Sequence, residues 1–230
     1  MPSWPDTLSI LREPDTLACM RLSIQTACMA MPLIAVCGVA LGYVLGHWRG
    51  RWIAFIDFLV TLPLVFPPIA TGYLLLMLLG RRGVIGSFLH ETFELEMIFS
   101  FWGVVLAAFI AGLPLMVKQV QAAIQNETNR LIEAAYVLGK SPVTTFFRVV
   151  LPSIRKNVAI GLSLAFARLL GEVGITLMLG GNISGKTSTM SLEVYNAVFT
   201  GEYDRAFVLV FLLGVVSMLL IILTRQFSNG

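Results

Sequence analysis

The segment GGNISGKT, residues 180–187, places Gly180, Gly185, Lys186 and Thr187 at the positions of G-x-x-x-x-G-K-[ST], the loop that cradles phosphates in nucleotide hydrolases. Its chemistry would be backbone amides around a phosphate, a lysine on the phosphate oxygens and a hydroxyl on Mg. That chemistry needs a buried strand leading into the loop and a helix leaving it, so the surroundings decide. Asn182, Ser184 and Thr187 also give this loop hydrogen-bonding groups, which fit a solvated turn, or contact with an anion or with a protein that delivers one. Upstream, Arg168 and Glu172 stand four residues apart, a spacing at which two helical side chains share a face and neutralise each other. Cys19, Cys28 and Cys37 recur every nine residues, which turns neighbours to opposite sides of a helix, and His47 and His90 are isolated. Neither set has ligand spacing, so no metal site is expected.

The elements that must position these residues follow from composition. The 230 residues are 57% hydrophobic and 13% charged, with mean hydropathy +0.84. A soluble domain carries about 25% charged residues. The chain therefore reads as an all-α integral membrane protein, one bundle with a single transmembrane domain over residues 1–230. A net charge of +3 without a dense Lys/Arg cluster gives no case for nucleic-acid binding. A span needs about 20 mostly apolar residues. Five candidates satisfy this, at about residues 17–45, 53–79, 98–117, 158–179 and 206–223. The start, MPSWPDTLSILREPDT, has acids and prolines where a cleavable signal is positive, so the first apolar stretch reads as a retained span.

An odd number of spans puts the termini on opposite sides, and Lys/Arg decides which side is cytoplasmic. Residues 46–52, 118–157 and the C-terminus hold nine basic residues; the N-terminus, 80–97 and 181–205 hold six, Arg81 and Arg82 among them. The bias places 118–157 and the C-terminus in the cytoplasm and the N-terminus outside. GGNISGKT then follows a span rather than a strand and faces away from the ATP supply. Its glycines read as a turn at the end of the fourth span.

Residues 127–152, ETNRLIEAAYVLGKSPVTTFFRVVLP, form the longest polar segment's centre. LIEAAYVL is a short helical run, stopped by Gly139. Ser141-Pro142 restarts the helix as N-cap and first helical residue, and Pro152 is expected to break it before the next span. Ala134 and Ala135 leave a low surface for close approach by another protein. This segment resembles the E-A-A-x3-G-x9-I-x-L-P signature of permease subunits of ABC importers. Glu133, Ala134, Ala135, Gly139, Leu151 and Pro152 match it, and Val149 stands where Ile is usual. Residues 62–88, 166–190 and GEYDRAF (201–207) resemble the permeases for molybdate and related oxyanions.

The resemblance implies a type I ABC importer permease fold in the inner membrane. It implies that the segment is the coupling helix, seated on a separate ATPase subunit, with Glu133 as a polar contact. It further implies a homodimer, two ATPase copies that hold ATP and Mg, and an extracytoplasmic oxyanion-binding protein. No cofactor on this chain and no chemistry on the substrate are expected. Molybdate is the implied cargo, with tungstate or sulfate as the alternative; a passive anion channel and a membrane ATPase using GGNISGKT are the rivals from other classes.

Two sets of residues inside spans are candidates for the path or gate. Arg168 lies about 16 Å from the cytoplasmic end of its span, where charge is costly, so the Arg168 and Glu172 pair is either structural or a gate. Pro63, Pro67 and Pro68 remove backbone bonds in the second span, and Gly72 extends the weak region. Freed carbonyls at that depth survive only when buried in protein or lining a wet cavity.

Overall fold

The computed structural model describes residues 9–229 apart from residue 95; among the described residues there are helices and no strand. Helix α1 spans Pro14–His47, α2 Arg51–Val65, α3 Pro68–Leu79, α4 Val84–Phe93 and α5 Phe101–Ala123. Helix α1 has 34 residues, about 51 Å at 1.5 Å per residue, more than the roughly 30 Å hydrocarbon layer. The segments Pro14–His47 and Phe101–Asn126 are each long and apolar enough to cross a membrane alone, with mean hydropathy 2.2 and 1.9.

These two helices form the centre of the bundle, and the sequence shows why. Gly38, Gly42 and Gly46 repeat every four residues along one stripe of α1. A Cβ on each would come within 2.3, 2.5 and 2.6 Å of the side chains of Met116, Val120 and Ile124 on the α5 side. Lipid supplies no hydrophobic drive between helices, so close backbone approach and dispersion must hold them. Ile34, Met116, Val120, Ile124, Ile132, Val150 and Ile154 are fully buried in the resulting core.

Helix α5 starts at Ser100, whose hydroxyl accepts from Gly103 N at 3.3 Å. It begins later than the expected 98 and runs past 117 to Ala123, through a π-turn Ile124–Thr128, into α6 (Asn129–Val137). The third span and the cytoplasmic segment are thus one helical path. Helix α7 (Pro142–Thr145), a second π-turn (Phe146–Val150) and α8 (Leu151–Ser153) follow. The run ends one residue beyond Pro152, before the next span. The chain then turns by 68° into α9 (Arg155–Leu170), with Ile154 at the bend.

The second and fourth expected spans are not continuous helices. The second is α2 and α3, interrupted at Phe66 and Pro67 in extended conformation. The fourth is α9 and α10 (Gly174–Gly180), interrupted at Gly171, Glu172 and Val173. Helices α11 (Met190–Thr200) and α12 (Tyr203–Asn229) complete the chain.

Candidate functional site

The two interruptions pack against each other. A Cβ on Gly174, the first residue of α10, would lie 2.8 Å from Ile69 N and from Pro68 Cβ at the start of α3. Gly72 sits against α10 in the same way, its added Cβ 2.9 Å from Met178 Cβ and 3.0 Å from Ile175 Cα. Two half-helices therefore lie backbone to backbone. Gly174→Val is expected to lower the melting temperature of the solubilised chain, since overpacking costs about 1–3 kcal/mol. Gly214→Val, where a Cβ meets nothing within 4 Å, should leave it unchanged; equal melting curves for both would overturn this packing.

At the gap in the fourth span neighbours satisfy the freed backbone groups, whereas at the other gap the exposed Pro67 begins the ordinary helical bonding of α3. The Pro67 carbonyl accepts from Thr71 N at 3.0 Å and from its hydroxyl at 3.3 Å. The Leu170 carbonyl accepts the Ser191 hydroxyl from α11. Ile175 N donates to Glu172 Oε1 at 2.6 Å, so Glu172 caps α10. Its second oxygen, Oε2, is 2.5 Å from an Arg168 guanidinium nitrogen. Glu172 is 2% exposed, and the Arg168 side chain 29%. The two residues do pair, but they do not share one unbroken helix. Arg168 lies in the last turn of α9 and Glu172 stands in the gap, holding both halves. Pro63 lies inside α2; Pro67 and Pro68 flank the other gap and are exposed.

The 127–152 segment is a protruding knob. Gly139 adopts φ +71°, which lets the chain reverse between α6 and α7. Ser141 caps α7, accepting from Thr144 N at 3.3 Å, with Pro142 at the first helical position. Ile132 and Ala135 face the core, whereas Glu133 and Ala134 point outward. Val137, Leu138 and Val143 are 87%, 76% and 68% exposed around the glycine. Apolar side chains so exposed, beside Lys140 and Glu133, make a surface suited to a protein partner. Leu151 and Pro152 are exposed on the far flank of the same knob. The C-terminal end of α1 braces it: His47 Nδ1 lies 3.1 Å from Asn129 Oδ1, and the Tyr43 ring stacks on His47 and meets Phe146 edge-on.

The 180–187 loop leaves helix α10, and Gly181 caps that helix with φ +75°. Thr187 is fully buried, and its hydroxyl accepts from Ile183 N at 2.9 Å. Asn182 exchanges amide bonds with Asn196 and accepts the Ser188 hydroxyl at 3.0 Å. These groups, expected to face solvent or an anion, are instead used inside the loop. Only Ser184 of the three is exposed, 3.3 Å from Asp15 Oδ1.

Comparison with known proteins bears on this architecture. The family described as "Binding-protein-dependent transport system inner membrane component" matches residues 38–229. The chain belongs to that family. Among relatives of this permease, the "Molybdenum transport system permease protein ModB" of Escherichia coli (strain K12) is 41% identical over 155 residues, 66% of this chain and 68% of that one. Proteins of the same name from Mycobacterium tuberculosis (strain ATCC 25618 / H37Rv) and Azotobacter vinelandii are 38% and 36% identical. They cover 83% and 76% of this chain and 71% and 77% of their own. Among solved structures, the "bacterial ABC transporter involved in the import of the acidic polysaccharide alginate" aligns with TM-score 0.78 at 16% identity, over 100% of this chain and 84% of that one. The fold is that of an ABC importer permease, and the protein is a multi-pass inner-membrane component.

One charged pair in the permease was not anticipated. Lys118 Nζ on α5 is 2.6 Å from Asp57 Oδ1 on α2, each side chain one-third exposed. Asp57 lies about 9 Å along α2, inside the apolar second span, and lone charges there are functional candidates by default. That was the available signal; the partner, 61 residues away, was not visible. Helix α2 buries none of its own residues, and an apolar crevice of about 330 Å³ separates it from α3 and α5 near Pro63 and Pro114. The ion pair therefore links α2 to α5 beside this crevice. Asp57→Lys or Lys118→Asp alone should cut transport strongly, and the double exchange should recover much of it. No recovery in the exchange, with both proteins inserted, would overturn the link.

Proposed function

We propose that two copies of this chain import molybdate by alternating access, driven by a separate ATPase pair and fed by an extracytoplasmic binding protein. The observation that carries the cargo is the molybdenum-permease name shared by relatives at 36–41% identity from distinct bacteria. The cytoplasmic knob around Gly139 supports the drive. Its exposed apolar tip is where an ATPase would dock, with Glu133 and Ala134 on one side and Leu151 and Pro152 on the other; Ala135, expected on that face, is buried against the core instead. ATP and Mg would be held by that partner. The N-terminus would lie outside and the C-terminus in the cytoplasm.

In this reading, ATPase closure moves the knob, and α5 and α9, which are continuous with it, carry the motion into the membrane. The interruption at Glu172, after α9, and the one at Pro67, which packs against it from the second span, are where the bundle can bend, because fewer helical hydrogen bonds resist there. Arg168 offers a dianion an attraction weakened by Glu172, which suits passage better than trapping. Asn182, Ser184 and Thr187 would shape the outer turn rather than hold the anion themselves, apart from Ser184 at its surface.

The test is uptake of labelled molybdate by the reconstituted complex with its ATPase and binding protein. ATP-dependent accumulation, competed by tungstate more strongly than by sulfate, is expected. Flux without the ATPase would point to a channel and defeat the proposal.

A further inference from the structure

A cavity of about 500 Å³ opens between the end of α3, helix α4, the turn before α5 and the 180–187 loop. Arg81, Glu96 and Lys186 are its charged lining, with His90 beside them, set among apolar walls such as Leu76 and Phe99. Arg81 is paired with Glu96. Among the described residues, Lys186 has no such partner. The turn that carries Arg81 is tight: a Cβ on Gly86 would collide with the Gly80 carbonyl oxygen, so the backbone there forms a close corner from which the Arg81 side chain, 71% exposed, extends. On the other wall, Phe99 N donates to Leu179 O at 2.7 Å, and the Phe99 ring packs against Gly181, which fixes the loop that bears Lys186.

We propose that this cavity is an oxyanion subsite, in which Lys186 and Arg81 hold a tetrahedral anion that takes the place of the Glu96 carboxylate. The assignment rests on the oxyanion-import reading above and adds a residue-level site to it. Glu96 is a tethered stand-in for the anion. It neutralises Arg81 while the cavity is empty, so no standing pair of cations traps a dianion. An incoming oxyanion meets one free cation and exchanges with a carboxylate for the other. The hydrogen bond and charge of Arg81 hold the Glu96 carboxyl below the usual carboxylate range, with smaller contributions from His90 and Lys186. Apolar walls concentrate that potential. The concave shape suits a small anion rather than a flat protein surface. The site also gives a use to Lys186, the lysine of GGNISGKT, and to Arg81, a basic residue that runs against the sidedness bias.

The test places a cysteine at Ile183, a cavity residue 39% exposed, in the permease–ATPase complex with Cys19, Cys28 and Cys37 replaced. Anionic and cationic thiosulfonates of similar size are compared. The anionic reagent should react several-fold faster, and millimolar molybdate should slow it. Lys186→Gln should level the two rates and remove the protection, whereas Glu96→Gln, which frees Arg81, should strengthen it. Co-purification of each variant with the ATPase subunit, at the parent's elution volume and melting temperature, serves as the check on folding. Equal rates in the parent, or a preference indifferent to Lys186→Gln and Arg81→Gln, overturns the subsite. So does loss of binding-protein docking in Lys186→Gln without any anion protection, which would assign the cations to a protein contact. Absence of molybdate uptake by the unmodified complex defeats the import reading instead, because the labelling reads the cavity independently of transport.

Discussion

Glu172→Ala should leave little folded permease. The carboxylate has two tasks, capping α10 through Oε1 and neutralising Arg168 through Oε2. Removing it strands a guanidinium and an amide together in a low-dielectric site, and breaking a buried pair from one side costs roughly 3–5 kcal/mol. That is a large fraction of the 5–15 kcal/mol that holds a typical protein folded. Glu172→Gln separates the tasks, since its amide oxygen can still accept from Ile175 N. It should fold with a reduced melting temperature. Arg168→Met combined with Glu172→Gln should recover stability above either single variant, because no unpaired charge remains. If the double variant is as stable as the parent yet transports nothing, the pair belongs to the path. If it transports normally, the pair is structural. Full stability of Glu172→Ala would refute both the cap and the ion pair.

Glu133→Lys should uncouple the ATPase while leaving the permease inserted and folded. The side chain points outward from α6, between the buried Ile132 and Ala135, so its charge is free to meet a partner and takes no part in the core. Reversing a charge at a docking surface sets like charges together, which costs several kcal/mol. At least a tenfold loss of ATPase affinity is expected, about 1.4 kcal/mol or more. Co-purification of the ATPase with the variant measures it directly, alongside ATP-driven uptake. Val137→Asp, at the most exposed apolar position of the knob, should act in the same direction. Unchanged binding in both variants would remove the knob from the coupling role.

The bundle and the knob were readable because local chemistry dictates them. Composition alone requires the membrane, since 57% hydrophobic residues exceed what a water-exposed surface permits. Ser141 followed by Pro142 caps a helix wherever it lies, and Gly139 takes the left-handed conformation that a turn there demands. The stripe of Gly38, Gly42 and Gly46 was equally present in the sequence, but its meaning needed a partner surface, which only α5 supplies.

The interruptions divide along the same line. Pro67 and Pro68 announce one of them, because proline removes a donor whatever surrounds it. The gap at Gly171–Val173 contains no proline. It exists because Gly174 seats on Pro68 and Ile69, while Ser191 and Glu172 replace the lost helical bonds. Spacing alone put Arg168 and Glu172 together, yet could not show that a break runs between them. Asp57 and Lys118 meet across 61 residues, and Arg81, Glu96 and Lys186 converge from three separate segments. A chain's local preferences set which segments become helices and where they can end. Which charges face one another is decided when those helices pack, because pairing across a fold depends on positions that no local rule contains.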